Sequence, residues 1–558
     1  MATLTQNGIR LAITGCGHGV LNSIYASVKK AARLKGWDSV DLVIIGGDFE
    51  AFRNAYDLNA ASIPAKYREM HDFHEYYSGK RTAPYLTIFM GGNHEASNYM
   101  FELHYGGWVA PKIYYLGASG VVRIGSLRIA GLSGIWKGYD YNKPHHERLP
   151  FSEDDVKTSF HQRELDTRKL LQIRTQIDIG LSHDWPRNIE NYGNKRQLFQ
   201  FKPHFEPDSE NGTLGSVAAN KIMEHLRPRY WFASHMHCKF AALRLWTANE
   251  IANGSKTVVS DIERLTEPVA VQNEDEIDLD MDDEEEKVDD TSHSASNSRT
   301  NSKKGVQGGG GENEVTTTSS TVSQDLYNQL PESFRKVSTT ESHDLPPPHP
   351  PLITNTATSF LALDKLEPSK RFLQLQEVTP LDASPADRPL RLQYDPEWLA
   401  ITRAFALEGS PLTHPVPSNK GAAYYHSQID EARVWIEQNA LSKDATLTIP
   451  ENFARVAPVF DRTMGIAVRE QPREWPNPQT QAFCDLIGVE NHFAIAEDVI
   501  ERRMVDAPVL GQGGSSSRGG GWRGKRDFQP RGGFRDRGGS ASSGYRGGRS
   551  RGGERRGA

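Results

Sequence analysis

Ile9-Arg10-Leu11-Ala12-Ile13-Thr14 is a largely apolar run of strand length, and it empties into Gly15-Cys16-Gly17-His18-Gly19. The arrangement recurs along the first half of the chain. The run 41–45 precedes Gly47-Asp48, 85–90 precedes Gly92-Asn93-His94-Glu95, 177–181 ends at Ser182-His183-Asp184, and 230–233 leads to His235-Met236-His237. Short apolar runs bounded by glycine and polar residues read as buried strands. Between them, 20–34, 155–173 and 217–226 carry the spacing of helices, and such alternation argues for a layered α/β domain. The runs 114–117, 120–124 and 127–132 follow one another with no helix between them. A mixed sheet or two-sheet sandwich flanked by helices therefore fits better than a purely parallel sheet.

Outside this half the text changes character. With 558 residues the chain has room for two to four domains at roughly 100–200 residues each. A hydrophobic share of 37% and a mean hydropathy of −0.59 are low for one uniformly packed globule. The net charge of −6 conceals two opposed blocks: 274–290 holds twelve acids against Lys287 alone, and 512–558 holds twelve Lys or Arg against Asp527, Asp536 and Glu554. From 251 to 352 the sequence is acidic, Ser/Thr-rich, Gly-rich and finally Pro-rich. Such text buries too little apolar surface to offset the entropy of ordering, and it is expected to be a disordered insert. Strand-like text resumes at 358–365 and 371–375, a hairpin by its spacing, and 397–406, 426–439 and 480–486 have helical spacing. The expected organisation is a site-bearing domain over 1–250, the insert over 251–352, a smaller α-rich region over 353–506, and a disordered Arg-Gly-Gly tail over 507–558.

Cys16, Cys238 and Cys484 are too few and too scattered for a disulfide framework, which points to a reducing compartment. The chain enters its first strand without a basic and apolar leader, and no run reaches the 18 or so apolar residues of a membrane span. A soluble monomer is expected, in the nucleus or else the cytoplasm.

The five clusters carry the chemistry. Two metal ions about 3.5–4 Å apart can activate a water and stabilise both the attacking and the leaving oxygen of a phosphodiester. Asp48 is the natural bridge, since a carboxylate has two oxygens and a charge that offsets the cations. His18 can hold one metal, with His237 returning to it, while Asn93, His183 and His235 supply the other. His235 and His237 need loop geometry to serve different metals, because alternate strand residues share a face. His94 is better placed for moving a proton than for binding, and Glu95 reads as a support for its neighbours or a helix cap.

Taken together, Gly47-Asp48, Gly92-Asn93-His94-Glu95, His183 and His235-Met236-His237 resemble the calcineurin-like metallophosphoesterase superfamily. The usual first motif there is Asp-x-His, and here it reads Cys16-Gly17-His18. That exchange, with Tyr105-Gly106-Gly107-Trp108, Ser133-Gly134-Ile135-Trp136-Lys137, Ser182-His183-Asp184-Trp185-Pro186 and Phe360-Leu361-Ala362-Leu363-Asp364-Lys365, resembles the RNA lariat debranching enzyme family. The resemblance implies a layered β-sandwich flanked by helices, a family-specific C-terminal domain over 353–506, and hydrolysis of the 2′,5′-phosphodiester at the branch point of intron lariats. It carries Cys16 over as a metal ligand or near-ligand. A thiolate donor shifts preference away from Mg, and the whole donor set accepts Fe, Zn or Mn. It also implies a lariat-recognition loop at about 134–158, where Trp136, Tyr139 and Tyr141 can stack on bases and Lys137 can meet phosphate. Branched RNA is then the partner, with the Arg-Gly-Gly tail adding RNA contacts. Two other readings stay open: a metal-dependent phosphomonoesterase or nuclease for linear RNA, and a non-catalytic RNA-binding scaffold.

Overall fold

Strand β1 (Ile9–Thr14) is buried on both faces, and its residues sort by parity. Ile9, Leu11 and Ile13 pack with Leu42, Ile44, Ile129, Ile179, Leu181 and Phe232, whereas Ala12 joins Val43 and Ile45 in a separate cluster with Leu21, Ile24 and Val28. Alternation of side chains across a strand thus gives β1 one face toward a second sheet and one toward a helix. The computed structural model describes residues 8–246, 349–382 and 389–505.

Two sheets follow from this pattern. In the first, β1, β2 (Leu42–Ile45), β3 (Thr87–Phe89) and β5 (Ile113–Tyr115) run parallel, with β4 (Gly107–Ala110) antiparallel at one edge. In the second, β7 (Leu127–Leu132), β8 (Ile179–Ser182) and β9 (Tyr230–Ala233) run parallel, and β6 (Ser119–Ile124) and β10 (Phe240–Leu245) lie outside them. Helix Leu21–Leu34 covers the outer face of the first sheet with Leu21, Ile24, Val28 and Ala31, at the 3–4 residue spacing of one helical face. Helix Val217–Leu226 covers the second with Ala218, Ala219, Ile222 and Met223. Each fully buried Leu or Ile in these layers contributes about 1.5–3 kcal/mol relative to exposure.

The C-terminal segment completes both sheets. Strand β11 (Ala357–Ala362) inserts between β10 and β9, β12 (Leu373–Val378) pairs antiparallel with β1, and β13 (Leu392–Tyr394) pairs with β6. The expected hairpin over 358–365 and 371–375 is therefore wrong: those runs lie in different sheets, joined by residues 363–372. Pairing with long-established strands gives each of them a full ladder that a local hairpin would not. The sequence boundary at 250 is consequently not a boundary in the sheets. Helices Pro396–Glu408, Ala422–Ile436 and Pro478–Ile487 then pack Trp398, Phe405, Tyr425 and Phe483 into the outer layer of the second sheet.

A second correction concerns 155–173. Two short helices, Glu153–Thr158 and Glu164–Leu170, replace the single expected one. Between them the backbone runs beside Ile135, and the Gln162 side chain donates to Gly134 O at 3.0 Å. Those hydrogen bonds tie down both ends of the 134–158 loop, and they outweigh helical continuity. Residues 251–348 of the expected insert and the whole Arg-Gly-Gly tail lie outside the described residues. Among the described residues, no helix is long and apolar enough to cross a membrane.

Candidate active site

The loops after the carboxyl ends of β1, β2, β3, β8 and β9 converge, at the position where parallel α/β sheets place ligands. Each strand contributes its loop: Cys16 and His18 after β1, Asp48 after β2, Asn93 and His94 after β3, His183 after β8, His235 and His237 after β9.

Tight backbone turns deliver these side chains. His18, Asp48, His235 and His237 all sit at positive φ, at 41°, 44°, 58° and 45°. A left-handed residue with a Cβ costs roughly 1–2 kcal/mol, and such strain persists only where the surroundings impose it. These turns break strand alternation, which is how His235 and His237 come to face different neighbours. Two glycines make the approach possible. A Cβ on Gly47 would stand 2.2 Å from His183 Nδ1, and one on Gly92 would stand 2.2 Å from Asp48 Oδ1.

The donors fall into two groups with Asp48 between them. On one side His18 Nε2 lies 3.2 Å from His237 Nε2 and 3.9 Å from Asp48 Oδ2. Cys16 belongs to this group: one donor atom from each of Cys16, His18, Asp48 and His237 lies within 4.8 Å of the others. On the other side His183 Nε2 lies 3.4 Å from Asp48 Oδ1 and 3.3 Å from Asn93 Oδ1, and the ring of His235 is 4.9 Å from that of His183. His94 donates its backbone N–H to Asp48 Oδ1 at 2.9 Å, and its half-buried ring stands 5.7 Å from that of His18.

The electrostatics suit cations. Burial works against charge on Asp48, yet His183, His94 and His18 hold its carboxyl well below the ordinary range. Burial also disfavours charge on His183 and His18. Asp48 overrides it for His183, and the Glu50 hydrogen bond with Asp48 for His18, so both are drawn upward. Burial and the neighbouring His18 push His237 down to about 3, leaving a neutral imidazole. Burial and Asp48 push the Cys16 thiol up, so its proton must leave before sulfur can ligate a metal. A carboxylate lying between two donor groups, four imidazoles, an amide and a thiol packed this closely, with little room for a side chain in place of Gly92, fit a pair of divalent ions.

Several residues that set this geometry were not singled out from sequence. Glu50 accepts from His18 Nδ1 at 2.9 Å, which turns Nε2 inward. His183 Nδ1 donates to Gly46 O at 2.8 Å, fixing its tautomer in the same way. Ser234 also donates to Gly46 O, and its Oγ is 3.1 Å from His183 Nδ1. Glu95, read from sequence as a support for its neighbours or a helix cap, is the support: it accepts the backbone N–H groups of Phe49 at 2.8 Å and of Glu50 and Gly92 at 2.9 Å, strapping the Asp48 loop to the Asn93 loop. The spacing Asp48-Phe49-Glu50 was the one local signal for Glu50.

The aromatic loop meets this cluster through Trp136, whose backbone N–H donates to Asp184 Oδ2 at 3.1 Å, next to His183. Lys137 and Tyr139 are exposed, Tyr139 at 69%. Trp136 and Tyr141 lie ring against ring at 4.7 Å, with Arg187 over the indole at 5.9 Å.

Two helix-flanked sheets with clustered His, Asp and Asn side chains on the loops at their strand ends define a calcineurin-like phosphoesterase, and residues 9–239 match that family. Residues 355–492 match the lariat debranching enzyme C-terminal domain. Over 508 residues the chain is 37% identical to a lariat debranching enzyme of Schizosaccharomyces pombe, covering 90% of this chain and 98% of that one. It is 35% identical over 512 residues to one of Drosophila melanogaster (90% and 81% covered), and 36% identical over 485 residues to one of Homo sapiens (86% and 69%). The chain belongs to the lariat debranching enzyme family, and it is a phosphodiesterase of the hydrolase class.

Proposed function

We propose that this chain hydrolyses the 2′,5′-phosphodiester at the branch point of excised intron lariats, with two divalent ions held among the strand-end loops. One observation carries the reading: Asp48 turns one carboxylate oxygen toward His18 and His237 and the other toward His183 and Asn93. Such a pair of ions would supply positive charge to activate a water and to offset charge on the phosphoryl oxygens. Cys16, His18 and His237 would hold one ion, and Asn93, His183 and His235 the other, with Asp48 shared.

The remaining work falls to side chains. His94, partly open to solvent beside both groups, gives its proton to the leaving ribose oxygen, the more costly partner in the cleavage. Glu50 and Gly46 O keep His18 and His183 in the tautomers that present Nε2 inward. Trp136, Tyr139 and Tyr141 offer faces for splayed bases, and Lys137 a charge for phosphate, beside the loop that carries His183. Fe, Zn and Mn all suit the donors, with Cys16 favouring the softer ions. The reading carries with it a monomer in the nucleus and further RNA contacts by the Arg-Gly-Gly tail.

The test is turnover of a synthetic branched RNA beside a linear 3′,5′ RNA of the same sequence. His94→Ala should lose roughly 10²–10⁴-fold on the branched substrate. Undiminished turnover rejects the proton role, and equal cutting of linear RNA by the unaltered chain rejects the branch-point reading.

A further inference from the structure

We propose that the chain binds an additional zinc ion at a second, internal site formed by His104, His145 and Asp166. One donor atom from each of the three lies within 4.8 Å of the other two. All three line a cavity of about 60 Å³ that runs behind Gly92 and Glu95 and also touches Glu147 and His161. That volume admits a water or two, enough for a fourth ligand.

His104 supplies the second, independent indication. It is 4% exposed, and its Nε2 has no hydrogen-bond partner. A buried ring nitrogen left unpaired costs about 1–3 kcal/mol, and native structures rarely leave such a group without a role. Burial and the neighbouring His145 hold its pKa well below the ordinary value, so the ring is neutral and offers a lone pair.

The other two donors are already held together. His145 Nε2 stands 2.6 Å from Asp166 Oδ2. Asp166 Oδ1 meanwhile receives Lys169 Nζ at 2.9 Å and Ser119 Oγ at 3.2 Å, which anchors the carboxylate and leaves Oδ2 facing His145. On binding, His145 ligates through an Nε2 freed of its proton, the neutral ring keeps its one proton on Nδ1, any second proton leaves to solvent, and the ion sits between Nε2 and Asp166 Oδ2. Two imidazole nitrogens, one carboxylate oxygen and one water are a zinc donor set with tetrahedral demand.

The site has a consequence for the proposed chemistry. His104 follows helix Ser97–Glu102, which begins just after His94; His145 lies within the 134–158 loop; Asp166 lies in helix Glu164–Leu170. An ion here fastens the expected recognition loop to the segment behind the proton donor.

Zinc counting tests this. The full chain is stripped with a chelator, reloaded with zinc, passed through gel filtration and analysed by elemental mass spectrometry. His104→Gln and His145→Gln should each carry one zinc fewer per chain than the unaltered protein, while His145→Cys, which keeps a donor, restores it. Equal zinc content in the unaltered protein and both Gln variants overturns the proposal. Should the variants fail to fold, anomalous scattering at the zinc edge from zinc-soaked crystals of the unaltered chain decides. A peak between His104, His145 and Asp166 supports the site, and its absence alongside peaks at Asp48 overturns it.

Discussion

Replacing Glu95 by alanine removes the acceptor of three backbone N–H groups at once, those of Phe49, Glu50 and Gly92, all in buried backbone. Leaving a buried donor unsatisfied costs about 1–3 kcal/mol, so three cost about 6 kcal/mol at mid-range. Against this stands the carboxylate itself. Burial and the charge of Asp48 push its pKa up to about 7 from an ordinary 4.5. A raised folded-state pKa gives stability that is present below pH 4.5 and lost as the pH rises through 7, and the loss is roughly 3 kcal/mol above that range. The two terms predict a pH-dependent penalty. In metal-stripped protein, Glu95→Ala should cost about 6 kcal/mol near pH 5 and about 3 kcal/mol at pH 8. Glu95→Gln keeps one oxygen for Phe49 and Gly92 and should lie within about 1 kcal/mol of the unaltered chain at pH 8. Urea unfolding followed by tryptophan fluorescence at both pH values measures this. A penalty below about 1 kcal/mol near pH 5, or one that grows with pH, refutes the strap.

Three further outcomes are expected, beyond the His94 effect given above. Gly92→Ala drives a Cβ to 2.2 Å from Asp48 Oδ1 and 2.4 Å from Asp48 N, so the bridge must move; loss of bound metal by elemental analysis and an activity drop on the order of 10²-fold should follow. Glu50→Gln removes the charged partner of His18 Nδ1 and should weaken metal binding about 10–100-fold in chelator competition, with folding unchanged by circular dichroism. Arg128 and Arg123, outweighing burial, hold Asp395 at about 2. Its stabilisation, roughly 2–3 kcal/mol, is complete above about pH 4 and half gone near pH 3, so the urea-midpoint gap between the unaltered chain and Asp395→Asn should narrow over that range.

The legible part of this molecule is the part encoded locally. Strand β9 matches its apolar run residue for residue, helix Val217–Leu226 matches its periodicity, and helix Leu21–Leu34 differs by one residue. Each was visible because a strand or helix face is written into adjacent residues. The helix expected over 155–173 failed because Gln162 and its neighbours bond to Gly134 and Ile135, partners that helical periodicity does not reveal. The hairpin over 358–375 failed because β11 and β12 find their ladders on strands more than a hundred residues earlier.

For the site the division is similar. By itself the sequence determined which residue types stand at the ends of which strands, since a Gly-flanked turn after an apolar run is a local pattern, and that ordered set was enough to suggest two metals and a phosphoester. Only the tertiary structure decided that Asp48 divides its oxygens between two donor groups, that Glu50 and Gly46 O turn His18 and His183 inward, and that Glu95 locks two loops together. These are distances between loops far apart in the chain, set by how two sheets stack, and no short stretch of sequence contains them.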